Sequence, residues 1–237
     1  MQKRSANPSL SVSAGGRGGG RPPSGSASSK LPDYLTLEEA ETFVRAIDFG
    51  RHRERDVALV LLLWGTGARV SEVLSATLHD LRTQVDASGA GVLKVSGKGR
   101  RRKDGTLVKR ERELAIPPRA MRSLVKYLQP RGWPFNCGPD PLFVSGRGCA
   151  LSRNRVWEIF RVGAERSGLR DRKPDGRFRI HPHTLRHTCA TQMLEAGRDI
   201  RNIQEYLGHA SISSTERYTH VDLSRKLLEA GRHPMEG

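Results

Sequence analysis

The sequence predicts an α+β fold, mainly α-helical, with a small three-stranded antiparallel sheet inserted near its front. Two observations carry that expectation. Apolar residues recur at helical spacing between recognisable caps over most of residues 36–230. The texture changes only between residues 81 and 116, where short β-prone runs are separated by glycine-containing and basic turns. No segment repeats at a fixed period, which sets repeat architectures aside.

Taken in order, residues 1–30 are rich in Gly, Ser, Pro and Arg, with no acidic residue and few apolar ones. Such a composition cannot bury enough surface to offset the entropy of ordering, so a disordered basic tail is expected there. Thr36 is then an N-cap with Glu39 at the capping-box position, opening a helix to about Asp48. A strongly apolar helix follows from about Asp56 to Trp64, broken by Gly65-Thr-Gly, and Arg69 stands at the start of another short helix. Residues 81–85, 91–96 and 110–116 read as strands, the last two joined by a basic, glycine-containing turn. Pro117-Pro118 opens a helix to about Leu128, because proline is tolerated in a first helical turn. The Pro/Gly-rich stretch 130–141 reads as a loop, and helices are expected at 152–167, 183–195, 199–206, 213–219 and 222–230.

Charge narrows the partner. Forty-one Lys and Arg stand against 25 Asp and Glu, a formal net charge of +16. The tail holds five of these cations, so +11 remains on the rest and the folded body is basic in its own right. That surplus favours a polyanion. The longest apolar run, residues 57–64, falls well short of the roughly 18 residues of a membrane helix, and the basic N-terminus is followed by no apolar signal segment. Cys137, Cys149 and Cys189 are odd in number and lack CxxC spacing, so free thiols in a reducing cytoplasm are expected.

The chemistry concentrates at the C-terminal end. His183, Arg186 and His187 stand at i, i+3 and i+4 of one expected helix and so share a face, while Leu185 and the Met193/Leu194 pair are expected to point to the core. His209 follows at a helix-ending turn, and Tyr218 nine residues later. A phosphodiester under attack gains negative charge on its non-bridging oxygens. Guanidinium forks match that geometry bidentately and keep their proton, and histidines add donors. A phenol supplies the nucleophile.

In order and spacing, Thr66-Gly-Ala-Arg-Val-Ser-Glu, Gly97-Lys-Gly, His183-Thr-Leu-Arg-His and Leu207-Gly-His with Tyr218-Thr-His resemble the tyrosine recombinase (phage integrase) family. The likeness is to its Xer and integron branches and covers residues 34–232. It implies a recombinase catalytic domain at 31–221, with Arg69 as the first clamp arginine and Glu72 supporting it. Lys98 takes the place of the lysine that protonates the leaving 5′ oxygen. His183 and Arg186 take the positions of the HxxR box, His209 a further donor to the scissile phosphate, and Tyr218 the nucleophile. His187 matches a supporting position, and Arg100, Arg101, Arg102 and Lys103 form a DNA-binding stretch beside Lys98. The implied activity is site-specific recombination through a 3′-phosphotyrosyl intermediate, with no cofactor and no metal. Its setting would be a homotetramer on two double-stranded DNA sites, or a complex with a partner recombinase. Residues 222–237 would form a helix and tail docking between protomers. Location would be cytoplasmic, on nucleoid or plasmid DNA. By that likeness the chain is expected to be without the N-terminal core-binding domain usual in the family.

Blander readings stand beside these. Tyr34, Tyr127 and Tyr206 compete with Tyr218, and Lys94, Lys103 and Lys109 compete with Lys98, since a basic turn is often a solvated face. His181 and His220 read as surface or packing residues. A zinc reading of the histidines with Cys189 lacks CxxC or HExxH spacing, and an arginine amid the cluster would repel the ion. A type IB-like topoisomerase and a non-catalytic DNA-binding remnant remain the alternative functions.

Overall fold

Helix α1 (Leu37–Ile47) starts where the capping chemistry places it. In the computed structural model, which describes residues 34–82, 89–97, 100–101, 107–108, 111–132, 139–169, 179–208 and 226–236, the Glu39 backbone N–H donates to the Thr36 hydroxyl at 3.1 Å. The Thr36 N–H donates back to Glu39 Oε2 at 2.9 Å. The helix buries Ala40, Phe43, Val44 and Ile47, one stripe at i, i+3, i+4 and i+7.

Helix α2 (Arg53–Thr66) is the axis of the fold. It is buried on nearly all sides from Ala58 to Thr66, and packs against α1, α4 (Pro118–Leu128) and α6 (Pro182–Glu195). It outruns its expected range at both ends. At the front, Arg53, Glu54 and Arg55 form a first turn whose acidic side chain suits the positive end of the helix dipole. At the back, Gly65 stays helical rather than breaking the helix. A Cβ there would lie 2.8 Å from both Met235 Sδ and Pro117 Cγ, so the glycine is present for close packing. Gly67, with φ +57°, is the residue that ends the helix.

The sheet is three-stranded and antiparallel as expected, in the order β1 (Leu81–Arg82), β2 (Gly91–Ser96), β5 (Glu111–Ile116). Its register sets Val95 opposite Arg112 and Lys94 opposite Glu113. One feature was not anticipated: the basic turn contains a two-stranded arm, β3 (Arg100–Arg101) with β4 (Leu107–Val108). Two-residue strands in a cation-rich stretch carry too little alternation to be read from sequence. Among the described residues, β1 reaches only Arg82 of the expected 81–85.

Helix α5 (Arg153–Arg166) lies on α1 through Gly163, where a Cβ would come within 2.9 Å of Ile47 and Phe43. Phe160 meets the Phe43 ring at 5.3 Å between centroids. Helix α6 begins with Pro182 and buries Leu185, Cys189, Gln192 and Met193. The Trp64 indole N–H, fully buried, donates to Gln192 Oε1 at 2.9 Å and ties α6 to α2. Leu194 corrects an expectation: it is exposed, because nine residues beyond Leu185 the helix has turned by half a revolution more than whole turns. Helix α7 (Ile200–Leu207), N-capped by Asp199, ends at Gly208 with φ +68°. Residues 226–231 are helical and lead into a 3₁₀ turn at Pro234–Glu236. Leu227, Ala230, His233 and Met235 of this segment are buried. Glu236 accepts from the Arg119 N–H at 2.7 Å, and Met235 reaches Gly65. Among the described residues no helix is long and apolar enough to cross a membrane. The expected tail, the helix at 213–219 and Cys137 lie outside the described residues.

Candidate active site

Four segments distant in sequence converge around Glu72. The first is the turn that Gly67 makes possible. A positive φ swings the chain out of α2, and Arg69 becomes the N-cap of α3 (Val70–Ser75). The Arg69 N–H donates to Glu72 Oε2 at 2.9 Å and its guanidinium reaches Glu72 Oε1 at 3.1 Å. The second segment is β5, whose Arg112 donates to Glu72 Oε2 at 2.9 Å. Side-chain exposure grades the group: Glu72 4%, Arg112 18%, Arg69 47%. Glu72 is thus the floor, Arg112 lies over it, and Arg69 extends to solvent. Burial alone would raise the Glu72 pKa. The hydrogen bond and charge of Arg112, the Arg69 N–H and the Arg69 charge outweigh it and hold the carboxyl below its ordinary range.

The third segment is α6. Arg186, half-buried, donates to the Gly67 carbonyl and, at 3.0 Å, to the Leu207 carbonyl. Its guanidinium therefore joins the turn after α2 to the fourth segment, the end of α7. Burial, then repulsion from Arg69 and Arg112, lowers the Arg186 pKa to about 10, which still leaves it charged at pH 7. Three guanidiniums around one carboxylate leave the cluster with surplus positive charge, an arrangement that a bound anion relieves.

His183 and His187 lie exposed on the same face of α6 as Arg186. Burial, then the charges of His187, Arg186, Arg69 and Arg153, push the His183 pKa down, so the ring is neutral at pH 7. Its ring centroid is 6.2 Å from that of His181, which is in turn 5.9 Å from Trp157 on α5.

Two competing tyrosines are accounted for as packing residues. The buried Tyr206 hydroxyl is 2.7 Å from the Gly65 carbonyl, and burial raises its pKa well above the usual 10. Tyr127 stacks on Phe143 at 5.5 Å, and its oxygen accepts from the Val144 N–H. Cys149 and Cys189 are free thiols. Among the described residues no three His, Cys, Asp or Glu side chains group to hold a metal ion.

Of the residues expected at the site, the structure brings together Arg69, Glu72, His183 and Arg186, with His187 beside them. Lys98, Arg102, Lys103, His209 and Tyr218 lie outside the described residues. Arg100 and Arg101 are described only as backbone of β3. The sequence reading missed Arg112. Its surroundings, Arg110-Glu-Arg-Glu, have the alternating charge of a solvated strand face, and only the sheet register reveals that residue 112 turns inward to Glu72.

Comparison with known proteins fits this geometry. Residues 33–225 match the model of the phage integrase family. The chain is 35% identical over 210 residues to tyrosine recombinase XerD of Corynebacterium glutamicum, covering 86% of this chain and 62% of that protein. It is 38% identical over 200 residues to tyrosine recombinase XerC of Pelobacter propionicus, covering 83% and 58%. Among solved structures, the XerH site-specific recombinase bound to difH substrate superposes with a TM-score of 0.59 at 26% identity, over 84% of this chain and 51% of that one. The chain thus spans about three-fifths of the length of the curated relatives it matches. With the family model covering most of the chain, and with the mainly helical fold and its three-stranded sheet, this protein belongs to the phage integrase family.

Proposed function

We propose that this chain is the catalytic domain of a site-specific DNA recombinase. The observation that carries the reading is the surplus positive charge of Arg69, Arg112 and Arg186 around Glu72, flanked by a neutral His183. Such a cluster is arranged for a phosphodiester whose non-bridging oxygens gain charge during attack. The relatives named tyrosine recombinase, and the XerH complex with its difH substrate, support DNA as the partner. In this reading the Tyr218 phenol gives up its proton to solvent as its oxygen attacks phosphorus, and the bond to the 5′ oxygen breaks. Lys98 gives the leaving oxygen its proton, while Arg69, Arg186, His183 and His209 bind the phosphate. The phosphotyrosyl bond keeps the energy of the broken ester, so the 5′ hydroxyl of a partner strand can re-form a diester without ATP. The 97–110 stretch, with Arg100, Arg101, Arg102 and Lys103, lies along the DNA backbone.

Nicked suicide duplexes drawn from DNA flanking the gene test this directly. Wild type is expected to form a covalent protein–DNA adduct and to exchange strands between duplexes, and Tyr218→Phe is expected to form none. An adduct that persists in Tyr218→Phe refutes the nucleophile. Relaxation of supercoils by a monomer without strand exchange favours the topoisomerase alternative.

The reading includes a tetramer on two DNA sites, with residues 222–237 docking between protomers. In the structure residues 226–236 rest on their own domain through Leu227, Ala230, His233 and Met235. A second copy presents the same acceptor, so exchanging the segment conserves its contacts. Met235→Ala, which empties the contact at Gly65, is expected to weaken cooperative pairing of two DNA sites in a gel-shift titration. Unchanged pairing in this variant and in a 222–237 deletion would sink the docking idea.

A further inference from the structure

We propose that Arg112 is a positioning residue of the strand-transfer site, one that locks the β2–β5 hairpin to both the Arg69 turn and the Gly208 turn. The inference rests on the recombinase reading above. Arg112 sits near the turn end of the β2–β5 pair, opposite Val95, which stands three residues before Lys98 in sequence. Its Nη2 donates to Glu72 Oε2 at 2.9 Å, and the same carboxylate oxygen takes the Arg69 N–H. Gly208 approaches Arg112 closely: a Cβ on Gly208 would stand 2.7 Å from Arg112 Cζ and nearer still to Nη1, so only a glycine leaves room for the guanidinium. Gly208 precedes His209, and the Leu207 carbonyl beside it holds Arg186. One side chain therefore touches the three segments that carry Arg69, Lys98 and His209 in sequence.

Two details argue for a role beyond an ordinary ion pair. Arg112 Nε is buried with no partner among the described residues, as Arg179 Nε also is, so the bond to Glu72 and the close approach of Gly208 are what fix this guanidinium. Arg112 also adds to the repulsion on Arg186, which a stabilising substitution would remove. At 18% exposure beneath Gly208, it acts through Glu72 and the glycine turn, whereas Arg69 at 47% extends outward.

The test measures single-turnover adduct formation, DNA affinity and thermal melting for Arg112→Met and Arg112→Lys, each alone and with Glu72→Gln. Arg112→Met is expected to slow adduct formation by about tenfold to a hundredfold, the range for residues that orient a reacting group from behind. DNA affinity should stay within about threefold, since the outward cations remain. Arg112→Lys, which keeps the charge and one bond to Glu72, should recover part of the rate. In the Glu72→Gln background Arg112→Met should add little, because both losses act through one contact. Wild-type rates in Arg112→Met overturn the proposal alone. So do full additivity with Glu72→Gln, or parallel loss of rate, affinity and melting without recovery in Arg112→Lys. An absent adduct from wild-type protein overturns the recombinase reading, and the proposal with it.

Discussion

Arg186→Lys is expected to slow single-turnover DNA cleavage by on the order of a hundredfold or more. The guanidinium does two things at once in this structure. Two of its nitrogens are committed to the Gly67 and Leu207 carbonyls, which fixes its plane, and its charge sits within the field of Arg69 and Arg112. A lysine ammonium is a point donor on a flexible stem. It can meet one carbonyl, or turn to a phosphate, but it cannot hold the fork that does both. Loss of a hydrogen bond to a charged group costs about 1.5–3 kcal/mol. Here that loss is opposed, because Arg186 is desolvated among like charges, as its pKa near 10 records. The melting temperature should therefore move little while the rate collapses. The same repulsion predicts that phosphate or DNA raises the melting temperature of wild type more than that of Arg186→Lys. Cleavage within tenfold of wild type, or equal stabilisation by DNA in both proteins, would show that Arg186 is not a phosphate ligand.

What the sequence carried of this site was its local chemistry. Thr36 and Glu39 announce α1 because a capping box is written within four residues. Arg69 and Glu72 pair at i, i+3, and His183 and Arg186 share a face, for the same reason. What was not legible depends on contacts between distant segments. Gly65 resembles a helix breaker until Met235 and Pro117 are seen against it, and then it is the glycine that lets α2 continue. Arg112 resembles a solvated strand charge until the register turns it onto Glu72. The β3–β4 arm is too short for periodicity to mark. Leu194 shows the opposite failure: it reads as a core partner of Met193 because both are apolar, although one residue along a helix changes the face by about 100°. The segment 226–236 joins both kinds. Its amphipathic pattern is visible in sequence, but its resting place on α2, α4 and α6 is not.

That resting place makes the protein sensitive to mild acid, through His233. The ring is buried, with Nδ1 accepting from the Met235 N–H at 3.2 Å and Nε2 3.5 Å from Cys189 Sγ. A second proton on Nδ1 would face an N–H donor. Among the described residues no carboxylate opposes the cost: burial, and then the Arg198 charge, push the pKa down to about 3, while burial pushes the Cys189 thiol up to about 12. With the folded pKa lowered from 6.5, the unfolded chain binds more protons between pH 6.5 and 3. Stability is therefore full above about pH 6.5, falls as pH drops through that window, and levels off below about 3. At pH 5 the penalty is about 2 kcal/mol, taking 1.36 kcal/mol per unit. The lowered carboxyl of Glu72 also loses stability in acid, but below its own ordinary value of 4.5, and the carboxyl of Asp56, raised by burial, contributes equally to wild type and to a His233 variant. His183 and His52 add losses of the same sign and are common to wild type and to His233→Gln, in which the amide oxygen still accepts from Met235 and nothing titrates. Wild type should thus lose about 2 kcal/mol more than His233→Gln between pH 7 and 5 in urea titrations. Because His233 belongs to the segment, local opening of residues 226–236 should draw on the penalty first. Amide exchange at Met235 and Glu236 should then accelerate at pH 5 relative to the core amides of α2, and more in wild type than in His233→Gln. Parallel pH profiles for the two proteins would mean that His233 is solvated or paired, and that the segment is held by its apolar contacts alone.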